Sequence, residues 1–209
     1  MMLLLSTAYL PPVEYFAAIA KYGGALLEAC ENYQKQSYRN RCTILTANGT
    51  MNLNIPVARG GDNFTHNLPI TQIEIDYSEN WPVRHLRALE AAYMNSPFFV
   101  YYKDEIAEIL LSGEKYLFSL NLRLIKLLLD FCGIKAEVNM TREFVSDCGA
   151  GMMDLRSRIH PKSKLPSLMK EWQKEKPYWQ VFSSKQGFVP NLSVVDLLFN
   201  EGPNAISFL

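Results

Sequence analysis

Between Glu31 and Cys42 the chain reads Glu-Asn-Tyr-Gln-Lys-Gln-Ser-Tyr-Arg-Asn-Arg-Cys. Three cations, two tyrosines, two glutamines and two asparagines fill most of these twelve positions, and no aliphatic side chain is among them. Such a stretch cannot be core. Its residue types grip phosphate, carboxylate or sugar: guanidinium forks, amides that both donate and accept, and rings that stack. Two readings stand. One is a solvated loop or strand edge. The other is an anion site in which Arg39 and Arg41 bind a phosphate or carboxylate, Asn40 turns to the opposite side of an extended segment, and Asn32, Gln34 and Lys35 add contacts.

Other candidates are scattered. His85 sits among Arg84 and Arg87 in a helical pattern and is a candidate general base, although no orienting carboxylate is evident beside it in sequence. Asp196 is a catalytic candidate and also the acid of a capping box that opens at Ser193. Asn191 is placed to bind a ligand hydroxyl. Cys30 and Cys42 flank the polar stretch as thiol nucleophiles or as plain buried cysteines. His66 and His160 fall in loops, and His160-Pro161-Lys162 is positioned to close over an anion. The four cysteines are widely spaced, with no close pair and no histidine at metal spacing, so no metal and no cofactor is expected.

Composition excludes some partners. Twenty-one basic residues balance twenty-one acidic ones, so no whole-molecule field favours nucleic acid or an anionic membrane. The apolar start Met1 to Leu5 lacks a basic flank and is broken by Tyr9 and Pro11-Pro12. The run Leu117 to Phe131 is interrupted by Asn121, Arg123, Lys126 and Asp130. A cytoplasmic protein without membrane insertion is expected. Its 209 residues, 48% of them hydrophobic, suffice for one substantial core, hence one domain over 1–209.

Positioning the polar stretch falls to the elements around it. A buried strand over Leu3–Tyr9, a helix over Pro12–Tyr22 stopped by Gly23-Gly24, and a second strand over Ala25–Cys30 predict a parallel βαβ unit. Ligands of parallel sheets collect beyond the carboxyl ends of the strands, where both the Tyr9 turn and the Asn32–Arg41 segment emerge. A crevice formed by Tyr9, Asn32, Gln34, Arg39, Asn40 and Arg41 is therefore expected.

Alternation predicts a hairpin from Cys42–Leu45 and Thr50–Val57, a polar loop over Arg59–Asn67, and a further strand over Ile70–Tyr77. Helices follow from Pro82, with Val83, Leu86, Leu89 and Tyr93 as the core stripe, then over Tyr102–Leu111 and Leu117–Phe131. A strand is read at Ile134–Met140. Residues 146–176 form a long basic excursion, irregular and partly helical after Pro166. A short strand at Tyr178–Phe182 and a helix after Ser193, stopped by Gly202-Pro203, complete the chain. The fold class is α/β: a mixed, partly parallel sheet flanked by helices.

Four blocks in fixed order carry a family likeness: Ala8 to Phe16, Tyr38 to Arg41, His85 to Phe99 with its Tyr93 and Ser96-Pro97, and Pro190 to Asn200. Through them the chain resembles the WbqC-like proteins over essentially its whole length. Many of these open with Gln-Pro-Tyr where this chain has Thr7-Ala8-Tyr9. The resemblance implies a bacterial transferase of surface-polysaccharide (O-antigen) synthesis, with glycine or aminoacyl transfer to a sugar as the reaction and a small anionic or nucleotide-linked substrate as the partner. The alternative is a non-catalytic binding or scaffold protein of the same pathway.

Overall fold

The computed structural model describes residues 1–58 and 68–209. The polar loop read at 59–67, with His66, lies outside the described residues. The chain opens as β1 (Met2–Ser6), α1 (Val13–Tyr22) and β2 (Gly24–Glu28). β1 and β2 pair in parallel, Leu3 opposite Ala25 and Ser6 opposite Glu28, as the short crossover predicts. The antiparallel hairpin is β3 (Arg41–Thr46) with β4 (Gly49–Asn54).

Three helices follow: α2 (Trp81–Tyr93), α3 (Phe99–Leu110) and α4 (Leu117–Phe131). β5 (Glu137–Met140) then pairs in parallel with β2, and β6 (Met152–Asp154) with β1. Short helices α5 (Leu168–Glu171) and α6 (Ser183–Gln186) precede α7 (Val194–Glu201). The result is an α/β fold whose four-stranded sheet, ordered β5-β2-β1-β6, is parallel throughout. The antiparallel pairing expected alongside it forms a separate two-stranded ribbon.

Both faces of the central strands are covered, which is why they read as unbroken apolar runs rather than alternating ones. Leu3, Leu4, Leu5 and Leu27 are all buried. α4 buries Leu117, Leu120, Leu124, Ile125 and Leu128 on one stripe, each worth about 1.5–3 kcal/mol once out of water. Asn121 on the same stripe donates to the backbone carbonyl of Arg39 at 2.7 Å, tying this helix to the polar segment. Gly202 ends α7 at φ 54°, and a Cβ there would overlap the Phe98 ring.

Four local readings are corrected. Ile70–Tyr77 is not a ladder strand: Ile70–Gln72 is a 3-10 turn, and Glu74 and Ile75 make only isolated bridges to Tyr116 and Val57. The alternation of Ile73 and Ile75 arises from both side chains entering the core beside α4 rather than from a sheet. Tyr178–Phe182 is irregular, because Tyr178 and Gln180 turn their polar ends onto Asp196.

The excursion at 146–176 contains β6, an outer strand of the main sheet. Three residues are too few for a period to show in sequence. Last, α2 buries Trp81, His85, Leu89, Ala92 and Tyr93, leaving Val83 and Leu86 only half-buried. The stripe is rotated from the expected one because Trp81 leads it.

Candidate functional site

A cleft of about 740 Å³ opens beyond the carboxyl ends of the parallel strands. It is lined by Cys30, Glu31, Asn32, Tyr33, Gln34, Lys35 and Arg39 from the chain after β2, and by Asp154, Arg156 and Ser157 at the end of β6. Phe144, after β5, completes it. This is where an open parallel sheet leaves room for a ligand, since its strand ends diverge while their connections turn away on either face.

The floor is a pair of ion clusters. Glu31 and Arg39 are buried together: Arg39 Nε donates to Glu31 Oε1 at 2.9 Å and Arg39 NH2 to Oε2 at 2.5 Å. Ser6, the last residue of β1, donates its hydroxyl to Glu31 at 3.0 Å and accepts from Arg39 at 2.8 Å. Burial still pushes the Glu31 carboxyl above the usual carboxylate range, against the opposing pull of Arg39.

Glu28 ends β2 fully buried and takes four hydrogen bonds: from the Cys30 and Val145 backbones at 3.0 Å each, the Thr141 hydroxyl at 2.6 Å and Arg156 at 3.1 Å. Arg156 also forks onto Asp154, at 3.0 Å through Nε and 2.7 Å through NH2, and lies 5.1 Å from the centre of the exposed Phe144 ring. Arg156 fixes the Asp154 carboxylate below its usual range despite partial burial.

The structure brings four of the nominated residues together in the cleft: Asn32, Gln34, Lys35 and Arg39. Asn32, Gln34 and Lys35 are exposed, while Arg39 is buried behind its ion pair. The other nominated residues do not line the cleft. Asn40 donates its amide to the Ile55 carbonyl at 2.8 Å, and Arg41 bonds Asn54 across the hairpin at 2.9 Å. Asn191 holds the start of α1, accepting from the Glu14 backbone at 3.0 Å and donating to its carboxylate at 2.8 Å.

Asp196 is buried beneath Tyr93, Tyr178 and Gln180, which donate to it at 3.0, 2.6 and 2.9 Å. It is not the acid of a capping box, because the Ser193 hydroxyl bonds the Leu10 carbonyl instead. Cys42 is buried and Cys30 half-buried at the cleft wall.

Tyr9 and His85 form a buried pair of their own, Tyr9 Oη to His85 Nδ1 at 2.9 Å, packed against Trp81. Burial pushes the imidazole pKa down to about 4, against the Asn54 backbone bond, which favours the proton, and with the Arg84 charge, so the ring is neutral. Since the folded state disfavours the proton, this contribution to stability is complete above about pH 6.5, the unfolded value. It is lost as pH falls through about 4. We expect wild type to lose on the order of 3 kcal/mol more than His85→Gln between about pH 7 and about pH 4, read from urea unfolding midpoints.

The sequence offered little signal for Glu28, Phe144, Asp154 and Arg156. Asp154 and Arg156 lie two residues apart in a segment without period, and only the parallel pairing of β6 carries them to the cleft. His160 approaches from the same segment. Burial, then the charges of Arg39, Lys162 and Arg41, lower its pKa. Lys162 bonds Gln36, so the basic segment touches the polar stretch at its rim.

A family model described as the WbqC-like protein family matches residues 7–160 and 167–208. An uncharacterized protein of Mycobacterium tuberculosis is 26% identical over 224 residues, covering 96% of this chain and 94% of its own. No solved structure matches the chain.

Proposed function

The chain belongs to the WbqC-like protein family, and from that premise we propose that it is a transferase of bacterial surface-polysaccharide (O-antigen) synthesis whose cleft binds an activated, anionic substrate, with aminoacyl transfer to a sugar as the reaction. The observation that carries this reading is the cleft of about 740 Å³ at the carboxyl ends of the parallel strands, a volume suited to a nucleotide-linked or aminoacyl-linked ligand. Its exposed amides, Asn32 and Gln34, and the exposed ring of Phe144 are the groups that bond and stack on a sugar.

The anionic end falls to Lys35. Arg39 and Arg156 are both committed to carboxylates, whereas Lys35 is exposed and has no ion pair among the described residues. Lys35→Ala should weaken binding of a nucleotide sugar or sugar phosphate by about tenfold in calorimetric titration, leaving the melting temperature unchanged. If wild type binds no nucleotide sugar, sugar phosphate or aminoacyl phosphate, the reading fails.

The placement of His85 and Asp196, both buried outside the cleft, favours a second reading, a binding protein of the same pathway that performs no chemistry. Release of nucleotide on incubation with donor and sugar acceptor separates the two.

A further inference from the structure

We propose that the cleft takes a protonated primary amine, held by Glu31 with the amides of Asn32 and Gln34, so that one of its substrates is an amine-bearing small molecule. This rests on the reading of the cleft as the ligand site, and it adds the charge of the ligand.

Among the described residues, three carboxylates, Glu28, Glu31 and Asp154, pair with two guanidiniums, Arg39 and Arg156, at the cleft floor and, for Glu28, just behind it. Lys35 lies at the exposed rim, where water and salt screen it. Among the described residues this cluster therefore carries one negative charge in excess, and Glu28 and Glu31 are its members sheltered from solvent. A cation entering there gains more than it would in water.

Hydrogen-bond capacity points to one of the three acids. Each carboxylate oxygen can accept about two strong bonds. Glu28 is full: Oε1 takes the Cys30 N–H and the Thr141 hydroxyl, and Oε2 takes the Val145 N–H and Arg156. Asp154 is full as well, with the Arg156 backbone N–H and guanidinium distributed over both oxygens.

Glu31 is not. Among the described residues its Oε2 takes Ser6 and Arg39, but its Oε1 takes Arg39 Nε alone. This oxygen belongs to a side chain only 7% exposed that lines the cleft, so it is a nearly buried anion with an unfilled acceptor site. The raised pKa of Glu31 says the same in another way: the positive charge around it does not fully offset burial. An ammonium has three N–H donors, and the side-chain amides of Asn32 and Gln34 also line the cleft, Gln34 Oε1 already taking a long 3.4 Å bond from Arg39.

Two sources supply such an amine, an amino sugar or an amino acid, and matched pairs distinguish them. We would titrate the full chain with glucosamine against N-acetylglucosamine, and with alaninamide against N-acetylalaninamide. Acetylation removes the charge while keeping the frame. The expected result is about a tenfold or greater preference for the free amine in at least one pair, weakening as pH rises through the deprotonation of that amine.

Glu31→Gln should abolish the preference. Because this change also touches the buried Arg39, Asp154→Asn serves as a second variant: it removes the excess charge from a more exposed position and should reduce the preference. Equal affinity within both pairs overturns the inference while leaving the cleft a sugar or amide site. Absence of binding by all four compounds overturns it too, and binding of a nucleotide sugar by the same preparation would still uphold the proposed function.

Discussion

Replacing Arg39 by alanine should destabilise the protein by about 3–5 kcal/mol, because the substitution strands the Glu31 carboxylate, only 7% exposed, without a countercharge. An arginine reaching into solvent for a ligand would cost little when removed. This one makes two bonds to Glu31, one to Ser6 and a long one to Gln34, and its backbone carbonyl is held by Asn121 of α4. Removing both partners at once is a different matter. Glu31→Leu combined with Arg39→Met leaves no unpaired charge and should recover most of the loss, since an apolar pair of similar volume often equals a buried ion pair. Urea unfolding of the two single variants and the double variant gives the coupling directly. A loss below about 1 kcal/mol for Arg39→Ala would mean that the guanidinium is free, and its role would then be ligand binding. For the same reason, failure of Arg39→Ala to bind a ligand is no measure of contact. Lys35→Ala is the cleaner probe.

Asp196→Ala is the second large effect. Tyr93, Tyr178 and Gln180 all donate to this one carboxylate inside the core, and burial pushes its pKa up against their pull. Each hydrogen bond to a buried charge is worth about 1.5 kcal/mol or more, so losing three should cost about 4–5 kcal/mol. The Tyr178 segment should loosen first. It has no ladder bonds among the described residues and is anchored through these side chains, the Trp179 backbone bond to Glu201 and the contacts of the Tyr178 ring with Phe188 and Phe208. Guanidinium unfolding measures the total, and amide exchange at 178–189 locates it. Asp196→Asn, which keeps the shape and one acceptor oxygen, should lose less than half as much. If Asp196→Ala is as stable as wild type, its carboxylate does not anchor the Tyr178 segment.

The stretch at 31–42 was legible as polar from composition, but the expectation that it lies outside the core is corrected by the structure. Glu31, Tyr33, Ser37, Arg39 and Cys42 are all buried, the charged pair because each neutralises the other and Tyr33 and Cys42 because they pack into the hydrophobic core. Its position after a parallel strand followed from the brevity of the β1–α1–β2 crossover. Four of the eight residues nominated as substrate ligands do line the cleft: Asn32, Gln34, Lys35 and Arg39. The two nominated as catalytic do not. His85 and Asp196 look alike in sequence, each a titratable group in a helical stretch with no partner evident beside it. Sequence spacing does not show that Tyr9, 76 residues away, meets the imidazole, or that Tyr93, 103 residues away, meets the carboxylate.

The sequence by itself determined the elements whose pattern is local: the apolar strands and the amphipathic helices, with Gly23 and Gly202 ending α1 and α7. It also determined the even charge balance and the blocks of the WbqC-like family. Tertiary structure alone decided which charges are paired and which are free. Arg39, Arg41 and Lys35 have similar prospects as letters in one polar run. Folding places the first against Glu31, the second across the hairpin on Asn54, and leaves the third in solvent. The reason is physical: an ion pair is set by distance in space and by access to water, and the parallel sheet brings the ends of β1, β2, β5 and β6 together from stretches up to about 150 residues apart.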